Sequence, residues 1–351
     1  MRNRQNQGIT VPKRRHTGRR RFLSTAPAAG LLACGLVVLA ASPASAFDAA
    51  GEIDLLRPQS GTLIRSIPSA YDAQGDSIAM GDITNDGFEE IVIANAGGSS
   101  ENGRVDVLDA FGATISSFGT AYDDSGDRLA VGDITNDGSD EVVIANAGGS
   151  SEGGRIDIHD LFGATISSFG TAYDDDGDAV AVGDVTGDGA EEVVIANSEG
   201  GERMDVHDLF GDVIASFGNT GYDGDDTVEV GDVNGDGRAE IVVANTEGGG
   251  RIDVFGGTGG VLSSFSSGVA NPKVLVAEMT GDSAAEIAVV PRFATASPQS
   301  SEDLVQFDFF GAQIRRIDTT FTAIGPNRVA DGIALGHLNA GPRAEVIVAN
   351  V

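Results

Sequence analysis

The sequence predicts an all-β fold, a six-bladed β-propeller of four-stranded antiparallel blades, and three observations predict it. A unit of roughly 50 residues recurs along the chain, at a period that suits one four-stranded blade. Within each unit apolar and polar residues alternate with period two, the signature of strands. The two ends of the chain carry complementary hairpins that complete one blade together.

The repeat is plain in the residues. GDITNDGFEEIVIAN begins at Gly81, GDITNDGSDEVVIAN at Gly132, GDVTGDGAEEVVIAN at Gly183 and GDVNGDGRAEIVVAN at Gly231. A weaker copy, AEMTGDSAAEIAVV, begins at Ala277, and GHLNAGPRAEVIVAN begins at Gly336. The starts are 51, 51, 48, 46 and 59 residues apart, too long a period for leucine-rich or ankyrin units. In the first copy the alternation predicts a hairpin from Ser77–Met80 and Glu90–Ala94 around an Asp-rich loop. A second hairpin, from Arg104–Leu108 and Thr114–Phe118, surrounds the turn Asp109–Ala113. No stretch has a helical apolar face.

Closure follows from the ends. The chain after residue 50 opens with GEIDLLRPQSGTLIRSI, a hairpin of the second type, and closes with DGIALGHLNAGPRAEVIVANV, one of the first type. Joined, they make a blade from both termini, which ties the ring and leaves no long open sheet edge.

The Asp-rich loop carries the chemistry. Counting from its first acid, positions one, three and five converge on a point because a glycine at six lets the backbone curl. A carbonyl at seven and an acid at nine complete a set of oxygens suited to a hard cation. Ca²⁺ accepts six to eight oxygens in flexible geometry, whereas Mg²⁺ demands a tighter octahedron. The first loop offers Asp82, Thr84, Asp86, the Phe88 carbonyl and Glu90. The second offers Asp133, Thr135, Asp137, the Ser139 carbonyl and Glu141, and the third Asp184, Thr186, Asp188, the Ala190 carbonyl and Glu192. The fourth offers Asp232, Asn234, Asp236, the Arg238 carbonyl and Glu240. The fifth keeps Glu278, Thr280, Asp282 and Glu286 but has Ser283 at the turn, so it is expected to bind poorly. The sixth has His337 and Gly341 at ligand positions and is expected to bind nothing. The loop is not an EF-hand: position twelve of the first copy is Ile93, and a strand follows.

Asp-x-[Asn/Thr]-x-Asp-Gly-x-x-Glu, recurring four times before a strand, resembles the FG-GAP/VCBS repeat family, whose units also build the head of integrin α chains. The resemblance covers residues 47–351. It implies that each loop joins the two inner strands of a blade and binds Ca²⁺ there. Two departures are evident: Thr at position three in three copies, and Glu at nine where Asp is commoner. Three carboxylates per loop suit affinities of about 10⁻⁴–10⁻³ M, as in extracellular modules.

Residues 1–46 read as a twin-arginine export signal. Arg19-Arg20-Arg21-Phe22-Leu23 precedes an apolar stretch, Ala26–Ala41, and the cleavage signal Ala44-Ser45-Ala46. The mature chain is then expected to start at Phe47 and to be periplasmic, cell-surface or extracellular. It is not expected to insert in a membrane. The one cysteine, Cys34, lies in the leader, where Leu31–Cys34 loosely resembles a lipidation motif; lipidation is the lesser reading. Eight of the 22 basic residues and none of the 53 acidic ones lie in 1–46, leaving −39 on the remainder. Such a surface repels nucleic acid and attracts cations. Lys273 is the single lysine after residue 46, a balance that also fits a saline habitat.

Four Tyr-Asp pairs, Tyr71-Asp72, Tyr122-Asp123, Tyr173-Asp174 and Tyr222-Asp223, precede the inner strands and are followed by Asp76, Asp127, Asp178 and Asp226. They are expected on the face opposite the metal loops. They are read as turn-forming acids with tyrosines packed between blades, before a sugar or peptide site. Arg104/Asp106, Arg155/Asp157, Arg203/Asp205 and Arg251/Asp253 are expected to be structural pairs, and His159 and His207 half-buried packing residues. Gly149-Ser150-Ser151-Glu152-Gly153 matches a hydrolase elbow only formally, since it lies in a glycine-rich loop rather than at a strand-to-helix turn. The sequence therefore predicts a monomeric, non-catalytic binding or adhesion module whose partner is an extracellular protein or a glycan. The alternatives are a lectin-like or polysaccharide-lyase protein and a structural envelope protein.

Overall fold

A computed structural model describes residues 51–71, 75–96, 103–123, 126–147, 154–173, 177–198, 202–224, 226–246, 249–291, 303–318, 332–339, 341 and 343–350. Residues 1–46, read above as an export signal and including Cys34, the glycine-rich segments 97–102 and 148–153, Asp72 and Asp174 lie outside these residues. The described strands belong to a compact unit of residues 44–351.

Strands β1 (Glu52–Leu56) and β2 (Leu63–Pro68) open the chain. Blade one follows as β3 (Ser77–Gly81), β4 (Glu90–Asn95), β5 (Arg104–Leu108) and β6 (Thr114–Gly119). Blade two is β7 (Arg128–Gly132), β8 (Glu141–Asn146), β9 (Arg155–His159) and β10 (Thr165–Gly170). Blade three is β11 (Ala179–Gly183), β12 (Glu192–Asn197), β13 (Arg203–His207) and β14 (Val213–Phe217). Blade four is β15 (Thr227–Gly231), β16 (Glu240–Asn245), β17 (Arg251–Phe255) and β18 (Val261–Ser266). Blade five is β19 (Pro272–Ala277), β20 (Glu286–Pro291), β21 (Asp303–Phe307) and β22 (Gln313–Asp318). Strands β23 (Gly332–Gly336) and β24 (Glu345–Asn350) end the chain.

Each blade is an antiparallel meander, and the sixth has the order β2-β1-β24-β23. There β1 pairs with β24 from Glu52↔Asn350 to Leu56↔Val346. The innermost strands β3, β7, β11, β15, β19 and β23 touch in succession, and β23 returns to β3. They line an axial channel of about 780 Å³, whose wall includes Arg128, Glu229 and Lys273 at repeat positions that other blades fill with small or apolar residues.

The second strands of blades one to four are buried along their whole length on both faces, which is why EIVIAN, EVVIAN and EIVVAN read as continuous apolar runs. Between blades three and four, for example, Ala181, Val194 and Met204 meet Val228, Ile241 and Val243 in one cluster. Burial of this kind stabilises by about 1.5–3 kcal/mol per large aliphatic side chain.

Two contacts repeat at the seams. Toward the outer rim, the turn glycine of one blade lies on an aromatic of the blade before. Gly163, at φ 81°, has room for no side chain because Phe118 fills the space where a Cβ would sit. Gly211 on Phe169, Gly259 on Phe217 and Gly311 on Phe265 repeat the arrangement. On the face opposite the Asp-rich loops, Tyr122 Oη donates to Gly75 O (2.6 Å), Tyr173 Oη to Gly126 O (2.9 Å) and Tyr222 Oη to Gly177 O (2.8 Å). Each bond joins the loop before one blade to the loop before the last. All four tyrosines are buried, so they are blade-to-blade packing residues. The acids that follow them close turns: Asp76, Asp127, Asp178 and Asp226 accept the backbone amides of Ala96, Ala147, Ser198 and Thr246.

The Arg–Asp pairs lie within single strands. Arg155 reaches Asp157 at 2.7 Å, and the carboxylate also accepts from Asn146 and from Ser168 on the neighbouring strands. This satisfies a buried charge, as burial requires. His159 and His207 are more deeply buried than the sequence pattern suggests, at 6% and 4% exposure.

The tyrosine latch predicts a measurable cost. Tyr173→Phe removes the buried donor to the Gly126 carbonyl and should lower stability by about 1 kcal/mol in denaturant unfolding. An unchanged midpoint would show that the bond contributes nothing at that seam.

Candidate metal loops and the apolar rim

The Asp-rich loops join the first and second strand of each blade, and the Asp-x-Phe-Gly turns join the third and fourth. In an antiparallel meander both connections fall on the same edge, so all of them lie on one face of the propeller.

Within each loop the acids have distinct partners. The first acid fills a nest of backbone amides: Asp82 accepts from Asp86 N and Gly87 N, and Asp133 from Asp137 N and Gly138 N. Asp184 and Asp232 accept from three amides each, because Gly187 and Gly235 at position four add theirs. The fifth-position acids Asp86, Asp137, Asp188 and Asp236 accept the amides of Phe88, Ser139, Ala190 and Arg238. These four position-seven residues thus enter the loop through their backbone.

The ninth-position glutamates are buried in all six loops. Glu90 accepts from Thr84 N (3.0 Å) and Thr84 Oγ1 (3.1 Å), and Glu141 and Glu192 repeat this with Thr135 and Thr186. Glu240 accepts from Val233 N and from Asn234 Nδ2. Glu345 does the same for Leu338 and Asn339 in the sixth loop, which has lost its acids at positions one and five. The glutamate therefore organises the loop whether or not the remaining carboxylates are present. The position-three threonines donate their hydroxyl hydrogens to it and keep oxygen lone pairs available for a cation.

Two triplets place one carboxylate oxygen from each member within 4.8 Å of the others: Asp184, Asp188 and Glu192, and Glu278, Asp282 and Glu286. These are the third and fifth loops; the first, second and fourth are not among the triplets that meet this limit. The fifth loop is the copy that the sequence marks as a poor binder, on account of Ser283. Gly281, at φ 90°, keeps the left-handed residue at position four, and Ser283 is not among the described residues with positive φ. Position four is a signal the spacing argument misses. Asn85, Asn136, Gly187, Gly235 and Gly281 all adopt positive φ there, which asparagine and glycine tolerate best. In the fourth loop Asn234 Nδ2 points at both Asp236 and Glu240, so a cation there would need the amide turned to present its oxygen.

The loops are also joined into a ring. The position-eight amide of each loop donates to the position-one carbonyl of the loop before it: Asp140 to Asp82, Glu191 to Asp133, Ala239 to Asp184, Ala285 to Asp232, Ala344 to Glu278, and Glu89 to His337, at 2.7–3.0 Å. Asp140 also accepts from Asp82 N at 2.7 Å. The sequence pattern does not single out position eight, where blades one to three carry an acid and blades four to six an alanine.

The electrostatics favour a cation. Burial raises the pKa of Glu90, Glu141, Glu192 and Glu286 despite the threonine bonds, with neighbouring carboxylates adding to the shift. Glu240 is pushed up to about 7 by burial, then by Asp236 and Asp232. At position eight, burial between blades raises Glu89 to about 7, Asp140 to about 6 and Glu191 to about 8. These three are half-exposed on the loop face yet wedged against glycines of the blade before. Bound divalent charge would relieve this repulsion.

Apolar side chains surround the loops. Phe111, Phe162, Phe210 and Phe310, in the outer turns, are 70, 75, 77 and 79% exposed. In every blade a β-bulge follows the turn and leaves one aliphatic residue of the outer strand without a cross-strand partner: Ile64, Ile115, Ile166, Ile214, Leu262 and Ile314. All six are exposed. Bulges re-aim side chains and blunt sheet edges, and these put an apolar rim around an acidic centre.

A carboxylic acid with a raised folded pKa costs stability as pH climbs from its unfolded value to its folded one. For Glu191 that window runs from 4.5 to about 8. Glu191→Gln should therefore raise the melting temperature of the chelator-treated protein at pH 8 and leave it nearly unchanged at pH 4.5. Equal effects at both pH values would contradict this account.

A family model for the FG-GAP repeat matches residues 74–108, from the inner strand of blade one through its Asp-rich loop to its third strand. No curated protein matches the chain. Among solved structures, a protein of unknown function from Bacteroides caccae is 11% identical, with 68% of this chain and 77% of that one covered and a TM-score of 0.44. The V. cholerae biofilm matrix protein Bap1 is 18% identical, at 69% and 39% coverage and a TM-score of 0.39. BBS1N in complex with ARL6DN is 12% identical, at 85% and 81% coverage and a TM-score of 0.46. The chain is thus a six-bladed β-propeller of four-stranded blades, and its residues 74–108 match the FG-GAP repeat.

Proposed function

We propose that this chain is an exported, calcium-binding propeller that acts as a non-catalytic binding or adhesion module, with an extracellular protein or a glycan as its partner. The observation that carries this reading is the convergence of three carboxylates at the third and fifth loops, on the face that also presents the apolar rim. Oxygen-only ligands on a curled loop suit Ca²⁺. The loops are hydrogen-bonded from blade to blade, so ions held there would stiffen the same face that meets a partner. Exposed aromatic and aliphatic side chains on an otherwise acidic surface are the composition of a recognition surface.

Calcium should raise the melting temperature by mass action. At about 10–100 times Kd, each occupied site adds about 1.4–2.7 kcal/mol. Asp188→Asn combined with Asp282→Asn should remove much of that gain while leaving the chelator-treated protein close to wild type. Melting curves that coincide in millimolar Ca²⁺ and in chelator would end the calcium assignment. Binding to a glycan array and to envelope proteins, with Ca²⁺ and with chelator, tests the module. Calcium-dependent capture that Phe162→Ser and Phe210→Ser abolish is the expected result. Turnover of a polysaccharide would replace the proposal with an enzyme.

A further inference from the structure

The six blade seams differ at the outer rim. At four of them an aromatic of one blade's last strand packs on the final residue of the next blade's third strand, whereas Ile317 with Leu56 and Ile67 with Leu108 hold these positions at the two seams of the terminal blade. Phe217 meets Phe255 at the seam between blades three and four, and Phe265 meets Phe307 between four and five. At the seams on either side of blade two the second partner is a histidine. Phe118 faces His159 with ring centroids 6.0 Å apart, and Phe169 stacks on His207 at 5.7 Å and 28°.

Both imidazoles are buried, and both Nε2 atoms have no hydrogen-bond partner among the described residues. His207 Nδ1 lies 3.1 Å from Gly211 O. A carbonyl only accepts, so Nδ1 carries the hydrogen and Nε2 is an unprotonated nitrogen facing apolar surroundings. His159 Nδ1 lies 3.4 Å from Thr165 Oγ1. Protonating either Nε2 would create a cation and a donor with nothing to receive it, inside the seam.

We propose that His159 and His207 make the outer rim of the seams flanking blade two acid-labile, so that mild acid loosens the third and fourth strands there while the Phe–Phe contacts hold.

Most charged neighbours of the two rings are engaged elsewhere. Around His159 they are Arg155, Asp157, Asp160 and, on the paired strand, Glu141. Asp157 is held by Arg155, Asn146 and Ser168, Asp160 by the amides of Phe162 and Ala164, and Glu141 by Thr135. Around His207 they are Arg203, Asp205, Asp208, Asp212 and Glu192. Asp205 pairs with Arg203, Asp208 accepts the amides of Phe210 and Asp212, and Glu192 holds Thr186. The outer strands that cover the rings, β6 and β10, contain no titratable residue. For His159, burial outweighs Asp157 and lowers the pKa below 6.5. A depressed histidine favours folding above its unfolded pKa and loses that contribution as pH falls through the window beneath it.

The test is amide hydrogen exchange of the protein at pH 7.5 and 5.0, in chelator so that calcium release plays no part. It compares the wild type with H159F/H207F, which installs the residue that the two Phe–Phe seams use. Expected in the wild type is a loss of protection, by about tenfold or more, in β6, β9, β10 and β13 relative to β17 and β21. The variant should abolish that difference. Equal protection changes in all blades, or the same local loss in the variant, would overturn the proposal. Should the double variant fail to fold, His159→Leu serves in its place, because Leu108 holds the equivalent position of blade one. Proton NMR of the wild type gives a direct reading: a His159 resonance titrating at or above about 6.5 would refute it.

Discussion

A ring of separate sheets is only as sound as its weakest seam, and here one backbone hydrogen bond is made at every seam. The position-eight amide of each Asp-rich loop donates to the position-one carbonyl of the loop before it, around the whole circle. The bond depends on backbone geometry, so it tolerates glutamate, aspartate or alanine at position eight. It is made at the sixth loop too, although that loop has lost its acids: Ala344 donates to the Glu278 carbonyl, and Glu89 to that of His337. The tyrosine latches on one face and the aromatic–glycine contacts at the rim secure the same seams with side chains.

This constraint divides labour within the loop. The ninth-position glutamate, buried and bonded to the loop amides in every blade, serves the turn first. The acids at one and five are the residues that distinguish a cation loop from a bare one. Loops three and five combine these acids with glycine at position four, and there the carboxylates meet. Loop four shares the glycine but substitutes an amide for the threonine hydroxyl, and its donor points where an acceptor is needed. Small changes at one position thus decide whether the same backbone presents converging oxygens.

Departures from the repeat are informative for the same reason. Most blades show what the fold needs at a given position, so a blade that differs is answering another demand. The histidines at two seams and Arg128, Glu229 and Lys273 in the channel are such departures. Glu229, enclosed by the channel wall and raised to about 7 by burial, is opposed by Lys273 of the next blade. The only lysine after residue 46 thus offsets the charge of a buried acid in the channel wall.

By itself the sequence determined the blade count, the strand pattern, the sharing of one blade by the two termini and the loop positions. Each of these follows from local periodicity repeated along the chain, and strands in the structure differ from the expected ones by a residue at their ends. It also supplied the reading of the tyrosines and turn aspartates as scaffold. What the tertiary structure decided are the relations between blades. The loop-to-loop hydrogen bonds, the burial of His159 and His207 and the apolar rim each join residues about 40 or more positions apart or follow from a sheet edge. The preference for the third and fifth loops was hidden for a related reason. Convergence of carboxylates depends on backbone dihedrals and on which amides each acid accepts, and spacing along a chain constrains neither.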